Sequence, residues 1–319
     1  MNPKQVSGEP TNTSCIIIAG PCSVNANNLY EIAEIAQMTV TNRQGTKHKA
    51  VAGTRVVGMK SRTELSSSGL GMGMDYEVYR SNLDKLLRGK PITSFDLAPS
   101  AKYSINIFER TNMIIATEVC SPLIQLSPLS GHIPAGKMLP WNPAVNQLGW
   151  PILEMTQIAK NNGWLIGIKN GKWLGDNIAK SESAKHTGGT PLEKVWSGLS
   201  TYTEMQDENI FMIQRGIEAS VKGDFRSLPI HQTAKRVRSL SNRKMLFDPS
   251  HSLGPKMRMH IVASTIDAMQ MKAFDGNYLY DGALIEAGTS TTDTGQHITL
   301  QELQDMCDEI AKVRDLVSR

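Results

Sequence analysis

The sequence has few cysteines, few aromatic residues and no long hydrophobic run. Its four cysteines form no C-x-x-C pair and no disulfide framework, which indicates free thiols in a reducing cytoplasm. No stretch approaches ~18 consecutive apolar residues, so the sequence predicts no membrane span. The first residues, MNPKQVSGEPTNTS, lack the apolar core of a secretory signal. A net charge of +4 over 319 residues does not indicate nucleic-acid binding, but it is compatible with anionic small substrates.

The apolar residues, 40% of the chain, include eight short runs, most of them followed by a helix-like segment. Most runs show no polar–apolar alternation, which is typical of strands buried on both faces of a parallel sheet. Eight such units in a chain of this length predict a single (β/α)8 TIM barrel over residues 15–319, after a flexible tail over residues 1–14. An open doubly wound sheet is the alternative, although no G-x-G-x-x-G follows the first run. The runs are Cys15–Gly20, Thr54–Lys60, Met113–Val119, Lys137–Trp141 (interrupted by Pro140), Trp164–Asn170, Asn209–Gly216, Lys244–Ser250 and Asp281–Gly288.

Two helices are indicated by periodicity, one over Asn28–Thr41 and one over Thr299–Val317. The basic run Lys235–Lys244 is interpreted as a solvated helix face, and His231 as a surface residue. Segments 61–76 and 120–147 are too long for plain connections, so we expect functional loops there.

Polar residues cluster at the carboxyl ends of the predicted strands, where the active sites of barrels are built. Arg55 is the exception, because it lies early in the second run. The residues at or near carboxyl ends are Cys22, Lys60, Arg62, Glu118, Lys169, Arg215, Asp248, His251, Glu286 and Asp293.

One group among them offers a thiolate, an imidazole and two carboxylates: Cys22, His251, Glu286 and Asp293. This mixture suits a divalent transition metal such as Mn, Fe, Co or Zn, and not Mg or Ca. The alternative is that Cys22 is a small buried hydrophobe and His251 a hydrogen-bonded loop histidine. Only a fold that brings the four residues together favours the metal.

The second group consists of cations: Arg55, Lys60, Arg62, Lys169 and Arg215. Several cations in one barrel mouth are costly to bury without anions, and their side chains suit phosphate and carboxylate groups. The alternative is local pairing with acids such as Glu118 or Asp248. We expect an anionic substrate that carries more than one charged group.

The ordered motifs IIIAGPCSV, KSRT, TEV, GIKNG, QRG, DPSHS and LIEAGTSTTDTGQHIT resemble those of the class I 3-deoxy-7-phosphoheptulonate (DAHP) synthases. The resemblance covers roughly residues 15–315, and GPCS combined with DPSHS is its most specific part. It implies a TIM barrel that condenses phosphoenolpyruvate with erythrose 4-phosphate, the first step of the shikimate pathway and of aromatic amino acid biosynthesis. It also implies a homo-oligomer.

The resemblance assigns roles by position. Four residues match the ligands of the divalent metal: Cys22, His251, Glu286 and Asp293. In the implied reaction we expect Lys60 to serve as a general acid for the aldehyde oxygen. The resemblance implies that Arg55, Lys60, Lys169 and Arg215 hold phosphoenolpyruvate, and that Arg62 and Thr63 hold the phosphate of erythrose 4-phosphate. We expect catalysis to depend on Lys60, Cys22 and His251, and we also place Glu118 and Asp248 in the substrate site.

Three departures from the family pattern concern the substrates. Ser61 replaces the proline of KPRT, and Ala287-Gly288 replaces the V-H that follows the glutamate of strand eight in many relatives. The fourth run, which in the family leads to a phosphate-binding arginine, reads MLPWNPAVN over residues 138–146. Two alternatives therefore stay open: the same condensation with another aldose or aldose phosphate, or a catalytically inactive barrel that binds an anion.

Overall fold

The computed structural model of the chain describes most of the barrel. The described residues are 10–57, 84–85, 88–90, 99–144, 149–171, 191–203, 205, 207–218, 221–290 and 294–317. Four predicted site residues, Lys60, Arg62, Thr63 and Asp293, lie outside these ranges. Their positions in the site therefore stay predictions.

Eight parallel strands form a closed barrel. They are β1 (Ser14–Gly20), β4 (Gly53–Arg55), β5 (Ile114–Glu118), β6 (Met138–Trp141), β7 (Ile166–Lys169), β8 (Ile210–Gln214), β9 (Lys244–Phe247) and β10 (Gly282–Glu286). Neighbouring strands are hydrogen-bonded in the order β10-β9-β8-β7-β6-β5-β4-β1, and the pairing of β10 with β1 closes the ring. This confirms the predicted TIM barrel, and the open-sheet alternative is wrong.

The barrel strands are apolar on both faces, and this explains why their sequences do not alternate. In β1, Ile16 and Ile18 pack with other residues of the barrel interior, whereas Ile17 and Ala19 belong to the layer between barrel and helices. Successive side chains of a strand point to opposite faces, so both faces of β1 are buried in apolar material.

The helices surround this barrel. In the part of the chain that the structure describes they are α1 (Leu29–Gln37), α2 (Pro99–Thr111), α3 (Pro122–Leu126), α4 (Gly149–Asn161), α5 (Pro191–Leu199), α6 (His231–Ser241), α7 (Pro249–Leu253), α8 (Ile261–Gln270) and α9 (Leu300–Ala311). None of the helices in these ranges combines the length and the hydropathy that crossing a membrane requires.

Both predicted helices end earlier than the periodicity indicates. The first ends at Gln37, because residues 39–41 form strand β2 (Thr39–Thr41), which pairs with β3 (Lys47–Lys49) in a hairpin. The last begins at a capping box formed by Thr299 and Glu302 and ends at Ala311. Strand β11 (Asp315–Leu316) then pairs with β1. In both places tertiary strand pairing overrides the local helical pattern.

Strand β4 is shorter than its apolar run. It ends at Arg55, whereas the run predicts a strand that continues to residue 60. The expectation that Arg55 lies early in its strand is therefore wrong: it occupies the carboxyl end, like the other predicted site residues. Strand β6 keeps Pro140, which pairs with Thr117 of β5. Proline cannot donate a ladder hydrogen bond, and the pairing of β6 with β7 is limited to Trp141 and Gly167.

Residues 11–14, predicted as part of a flexible tail, are attached to the barrel. The Asn12 amide donates to the carbonyl oxygen of Tyr278 and to Asp281 Oδ1. The Arg314 guanidinium donates to the carbonyl oxygens of Asn12 and Ser14, and to that of Tyr280 just before β10. This buried arginine thus joins the chain before β1 to the chain after α9.

Closure of the barrel requires a glycine at position 282. A Cβ atom at Gly282 would lie 2.0 Å from the carbonyl oxygen of Ile16, its partner in β1. We expect Gly282→Ala to lower the free energy of unfolding by about 3 kcal/mol or more, because backbone at the β1–β10 seam must move. Urea denaturation followed by circular dichroism measures this.

Gly198→Ala is the matched control, since a Cβ atom at this position in α5 meets nothing within 4 Å. We expect it to be neutral or to stabilise the protein by up to ~1 kcal/mol through helix propensity. An equal effect of both substitutions would contradict the role of Gly282 in closure.

Candidate active site

The carboxyl ends of the barrel strands bring six predicted site residues to one face. Four of them are the last residues of their strands: Arg55, Glu118, Lys169 and Glu286. The other two, Arg215 and Asp248, come directly after the last residue of a strand. All six side chains are buried or nearly so. Because the strands are parallel and the barrel is closed, these ends form the rim on which barrel active sites are built.

Asp248 connects a histidine to a lysine. It is the N-cap of α7, where its Oδ1 accepts hydrogen bonds from the backbone N–H of His251 at 3.1 Å and from His251 Nδ1 at 3.0 Å. Its Oδ2 lies 3.1 Å from Lys169 Nζ. Burial alone would raise the pKa of Asp248, but His251 and Lys169 hold it well below its usual range. Asp248 is therefore a buried carboxylate at neutral pH.

His251 is oriented by Asp248. A carboxylate only accepts hydrogen bonds, so Nδ1 carries the proton and the neutral ring presents the Nε2 lone pair. Nε2 lies 3.6 Å from Glu286 Oε1. Burial lowers the pKa of His251, although Asp248 and Glu286 oppose the shift. Two acceptor atoms that face each other suit a shared cation.

Lys169 lies between two carboxylates. Its Nζ is 3.1 Å from Asp248 Oδ2 and 4.0 Å from Glu118 Oε2. Burial lowers the pKa of Lys169, and the two carboxylates partly offset that shift. Lys169 thus faces two acids rather than a single partner.

Arg55 pairs with Glu286, and Arg215 lies near Asp248. Arg55 Nη2 is 2.9 Å from Glu286 Oε1. Burial alone would lower the pKa of Arg55, but the neighbouring carboxylates of Glu286 and Asp248 raise it. Within the described ranges, Arg55 Nε and Nη1 and Arg215 Nη1 are buried donors that find no acceptor. A buried cationic N–H group without an acceptor costs folding free energy unless an anionic ligand binds it.

Trp141 occupies the carboxyl end of β6, where the DAHP synthase pattern leads to an arginine. Its fully buried ring lies 5.6 Å from the Arg55 guanidinium carbon and 5.3 Å from Lys169 Nζ, and its indole N–H donates to Glu118 at 3.3 Å. The close approach of β7 leaves room only for glycine at position 167, where a Cβ would lie 2.8 Å from Trp141 Cβ. The sequence signal for this residue is an aromatic at the end of the fourth apolar run.

Two asparagines fix the backbone at the rim, and the sequence analysis does not identify them as site residues. Asn142 accepts from the backbone N–H of Lys169 at 2.8 Å and donates to the Lys169 carbonyl at 3.1 Å. Asn170 makes the same kind of bridge to the next strand, accepting from the Arg215 N–H at 2.8 Å and donating to the Gly216 carbonyl at 2.9 Å. Asparagine directly after a buried strand is the signal in both cases.

Cys22 follows β1 and is fully buried. Its backbone N–H donates to His297 Nε2 at 2.9 Å, so His297 holds the loop that carries the cysteine. His297 is a further residue that the sequence analysis does not identify.

Glu286 is held by a chain of polar contacts. Its Oε2 accepts from Gln296 Nε2, and Gln296 Oε1 accepts from Arg226 Nη1 at 2.5 Å. The backbone N–H of Glu286 donates to Ser250 Oγ at 2.9 Å. Gln296 therefore orients the Glu286 carboxylate, and Ser250 fixes the Glu286 backbone.

The predicted metal ligands are only partly assembled. Glu286 and His251 face each other, with His251 Nε2 3.6 Å from Glu286 Oε1. Among the described residues, however, no three Cys, His, Asp or Glu side chains form a group that could hold one metal ion. Asp293, the fourth predicted ligand, lies outside those residues. The donor types fit a transition metal, and the metal itself stays a prediction.

Behind the rim, a buried chain of hydrogen bonds supports β8. His231 Nδ1 contacts the Tyr280 hydroxyl at 2.7 Å, and that hydroxyl donates to Gln214 Oε1 at 2.7 Å. Gln214 directly precedes Arg215. His231 is thus a half-buried structural residue, and its interpretation as a surface residue is wrong.

His231 makes the protein sensitive to acid. Burial and the charge of Lys235 lower the pKa of His231 from 6.5 to about 4. Between these values the unfolded chain binds a proton that the folded chain does not, so stability falls as the pH falls from 6.5 towards 4. One pKa unit corresponds to about 1.4 kcal/mol, which gives a loss of about 3 kcal/mol. Urea denaturation at several pH values measures it.

His231→Gln is expected to flatten the pH dependence of stability over this range, because it removes the titrating group. His132→Gln is the control, since His132 is exposed, and it should leave the pH dependence unchanged. Equal slopes for wild type and His231→Gln would show that His231 is not responsible.

Comparison with known proteins supports the fold. No protein-family model matches the chain, and no curated protein matches it. Among solved structures, the crystal structure of phospho-2-dehydro-3-deoxyheptonate aldolase (DAHP synthase) from Thermotoga maritima is similar, with a TM-score of 0.62 and 14% sequence identity. The similarity covers 98% of this chain and 74% of that chain. At this identity the likeness shows a shared barrel fold, and class I membership stays a prediction.

Proposed function

We propose that this barrel is a metal-dependent synthase that condenses phosphoenolpyruvate with erythrose 4-phosphate to form 3-deoxy-arabino-heptulosonate 7-phosphate and phosphate. The observation that carries the proposal is the set of buried cations Arg55, Lys169 and Arg215 at one barrel rim. Some of their N–H groups find no acceptor among the described residues. A small substrate with a phosphate and a carboxylate supplies acceptors for such groups.

In this reaction the methylene carbon of phosphoenolpyruvate attacks the aldehyde carbon, water adds to the resulting cation, and phosphate leaves. Arg215 and Lys169 bind the phosphate and carboxylate of phosphoenolpyruvate, and Arg55 stabilises the charge that develops beside Glu286. Trp141 closes the wall between Arg55 and Lys169 and excludes water from that side. Lys60 is proposed as the general acid for the aldehyde oxygen and Arg62 and Thr63 as the acceptor phosphate site, from the resemblance alone.

A divalent metal belongs to the proposal. Cys22, His251, Glu286 and Asp293 would hold it, and their mixed sulfur, nitrogen and oxygen donors suit Mn, Fe, Co or Zn. The hydrogen bond from His251 Nδ1 to Asp248 already presents Nε2 towards Glu286. When bound, the metal supplies a Lewis acid that polarises the aldehyde or a water molecule.

The direct test is an assay with purified protein, Mn(II), phosphoenolpyruvate and erythrose 4-phosphate. We expect stoichiometric release of phosphate and formation of a 3-deoxy-2-ulosonate. Chelation should abolish turnover, and readdition of the metal should restore it. Absence of product with every divalent metal tested would contradict the proposal, and binding of phosphoenolpyruvate without turnover would indicate an inactive anion-binding barrel instead.

A different acceptor is the second candidate, and Trp141 is the observation that favours it. An indole stands where the DAHP synthase pattern leads to a phosphate-binding arginine, so strand β6 supplies no cation at its carboxyl end. A panel of aldoses and aldose phosphates of four to six carbons, assayed with phosphoenolpyruvate, separates the candidates. Exclusive use of a longer or unphosphorylated sugar would favour this second function.

A further inference from the structure

Gln296 and His297 are adjacent buried residues that contact two of the predicted metal ligands. Gln296 ends a short 3-10 helix (Thr294–Gln296), and His297 comes next. Both side chains are buried. Gln296 Nε2 donates to Glu286 Oε2, and His297 Nε2 accepts from the backbone N–H of Cys22 at 2.9 Å. One short segment of chain thus supports residues at the carboxyl ends of both β1 and β10.

The register of the barrel places these two ligands side by side. Gly20 of β1 pairs with Glu286 of β10, and the Ala287 N–H donates to the Gly20 carbonyl at 3.0 Å. Cys22 therefore comes two residues after the strand partner of Glu286. Because the two strands are neighbours and parallel, a support that reaches both from one segment fixes the position of one ligand relative to the other.

The side-chain amide of Gln296 is held in one orientation. Its Oε1 accepts from Arg226 Nη1 at 2.5 Å, and its Nε2 donates to Glu286 Oε2. A guanidinium only donates hydrogen bonds and a carboxylate only accepts them, so a reversed amide would lose both contacts. With Oε2 held in this way, Glu286 Oε1 lies 3.6 Å from His251 Nε2. Gln296 thus directs one carboxylate oxygen towards the imidazole.

The backbone around His297 is itself anchored. The Ile298 N–H donates to the Glu286 carbonyl at 3.0 Å. Arg258 Nε donates to the His297 carbonyl at 3.0 Å, and Arg258 also ion-pairs with Glu302 at the start of α9. The side chains of this segment are therefore carried by a backbone that is tied to β10 and to α9, and such support improves the precision of a site.

We infer that Gln296 and His297 are positioning residues of the proposed metal site. Gln296 fixes the Glu286 carboxylate, and His297 fixes the loop that carries Cys22, so both ligands are arranged before the ion binds. This inference rests on the proposed function, because the ion belongs to that proposal. Loss of such supporting partners typically lowers metal affinity about 10–100-fold.

Titration of the metal-free, full-length protein with Co(II) tests the inference without an assay of turnover. Ligation by Cys22 gives a thiolate-to-cobalt charge-transfer absorption, which Cys22→Ser should lose. We expect Gln296→Met and His297→Met each to raise the dissociation constant for Co(II) about 10–100-fold. Gln304→Met is the matched control and should leave the constant unchanged, because Gln304 of α9 donates to the Thr39 carbonyl and not to a predicted ligand.

His297→Gln distinguishes the hydrogen bond from the space that the ring fills. Glutamine can place its Oε1 near the position of the imidazole Nε2 and so keep an acceptor for the Cys22 N–H. We expect this variant to recover most of the Co(II) affinity that His297→Met loses. If both variants bind Co(II) equally weakly, the hydrogen bond does not position Cys22, and the inference for His297 is wrong.

The same titrations separate failure of the inference from failure of the proposed function. If the wild type shows no saturable Co(II) absorption, or if Cys22→Ser keeps the charge-transfer band, the proposed metal site fails and the inference fails with it. If the wild type binds Co(II) through Cys22 and both methionine variants bind it as tightly, only the inference is wrong. Because the two positions are substituted separately, misfolding of one variant leaves the other informative.

Discussion

Substitution of Arg215 by methionine is expected to raise the KM for phosphoenolpyruvate about 100-fold. Arg215 is buried, and its Nη1 donor has no acceptor in the described part of the chain, which suits an anionic substrate. Hydrogen bonds that involve a charged group contribute about 1.5–3 kcal/mol, and the upper value corresponds to roughly two orders of magnitude in affinity. The KM of Arg215→Lys should lie between those of the wild type and Arg215→Met, because lysine keeps the positive charge but loses the paired N–H donors of the guanidinium. Steady-state kinetics with varied phosphoenolpyruvate measures both variants.

Lys137→Met provides the matched control. Lys137 precedes β6, at the opposite end of the barrel from the rim, and its Nζ donates to the Asn112 carbonyl at 2.8 Å. We expect the KM of Lys137→Met for phosphoenolpyruvate to stay within about twofold of the wild-type value. Equal effects of Arg215→Met and Lys137→Met would mean that general charge, and not a site at the rim, attracts the substrate.

The buried pair of Lys169 and Asp248 is expected to show strong coupling in a double-mutant cycle of stability. Asp248→Asn removes the carboxylate that lies 3.1 Å from Lys169 Nζ, and Lys169→Met removes the cation that lies between the buried carboxylates of Asp248 and Glu118. Removal of one partner from a buried pair costs about 3–5 kcal/mol. The double variant should cost less than the sum of the single variants by about 1–3 kcal/mol, because either substitution alone already removes the interaction between Lys169 and Asp248.

The exposed pair of Lys256 and Asp224 is a fitting reference for this cycle. Their charged atoms lie 3.4 Å apart, but their side chains are 76% and 73% exposed. We expect a coupling of less than about 1 kcal/mol for Lys256→Met with Asp224→Asn. Urea denaturation of both sets provides the comparison. Additive effects of Lys169→Met and Asp248→Asn would show that the two residues do not pair in the folded protein.

Much of the fold follows from the sequence because burial on both faces leaves a direct signature. Runs such as CIIIAG and WLIGIKN show no alternation, which is typical of strands in a sheet covered on both sides. The helix boundaries were less predictable. Residues 39–41 follow a helical pattern but pair with Lys47–Lys49, and such long-range pairing has no local signal.

The site was predictable by residue type and position more than by geometry. Five residues lie at or directly after the carboxyl ends of strands, as their places after apolar runs indicate: Glu118, Lys169, Arg215, Asp248 and Glu286. His251 follows in helix α7. The sequence does not identify four other residues of the site, because each acts through a partner that is remote in sequence: Trp141, Asn142, Asn170 and His297. Such contacts depend on strand register and loop path, which composition and periodicity do not encode.

By itself, the sequence determined the number of barrel strands, their burial and the chemical character of the residues that follow them, because these properties depend on short stretches of chain. Only the tertiary structure decided that Asp248 lies between His251 and Lys169, that Arg55 ends its strand and pairs with Glu286, and that an indole fills the fourth position of the rim. The physical reason is that closure of the barrel sets these distances. The seam between β1 and β10, where Gly282 passes the Ile16 carbonyl, fixes how all eight carboxyl ends face one another.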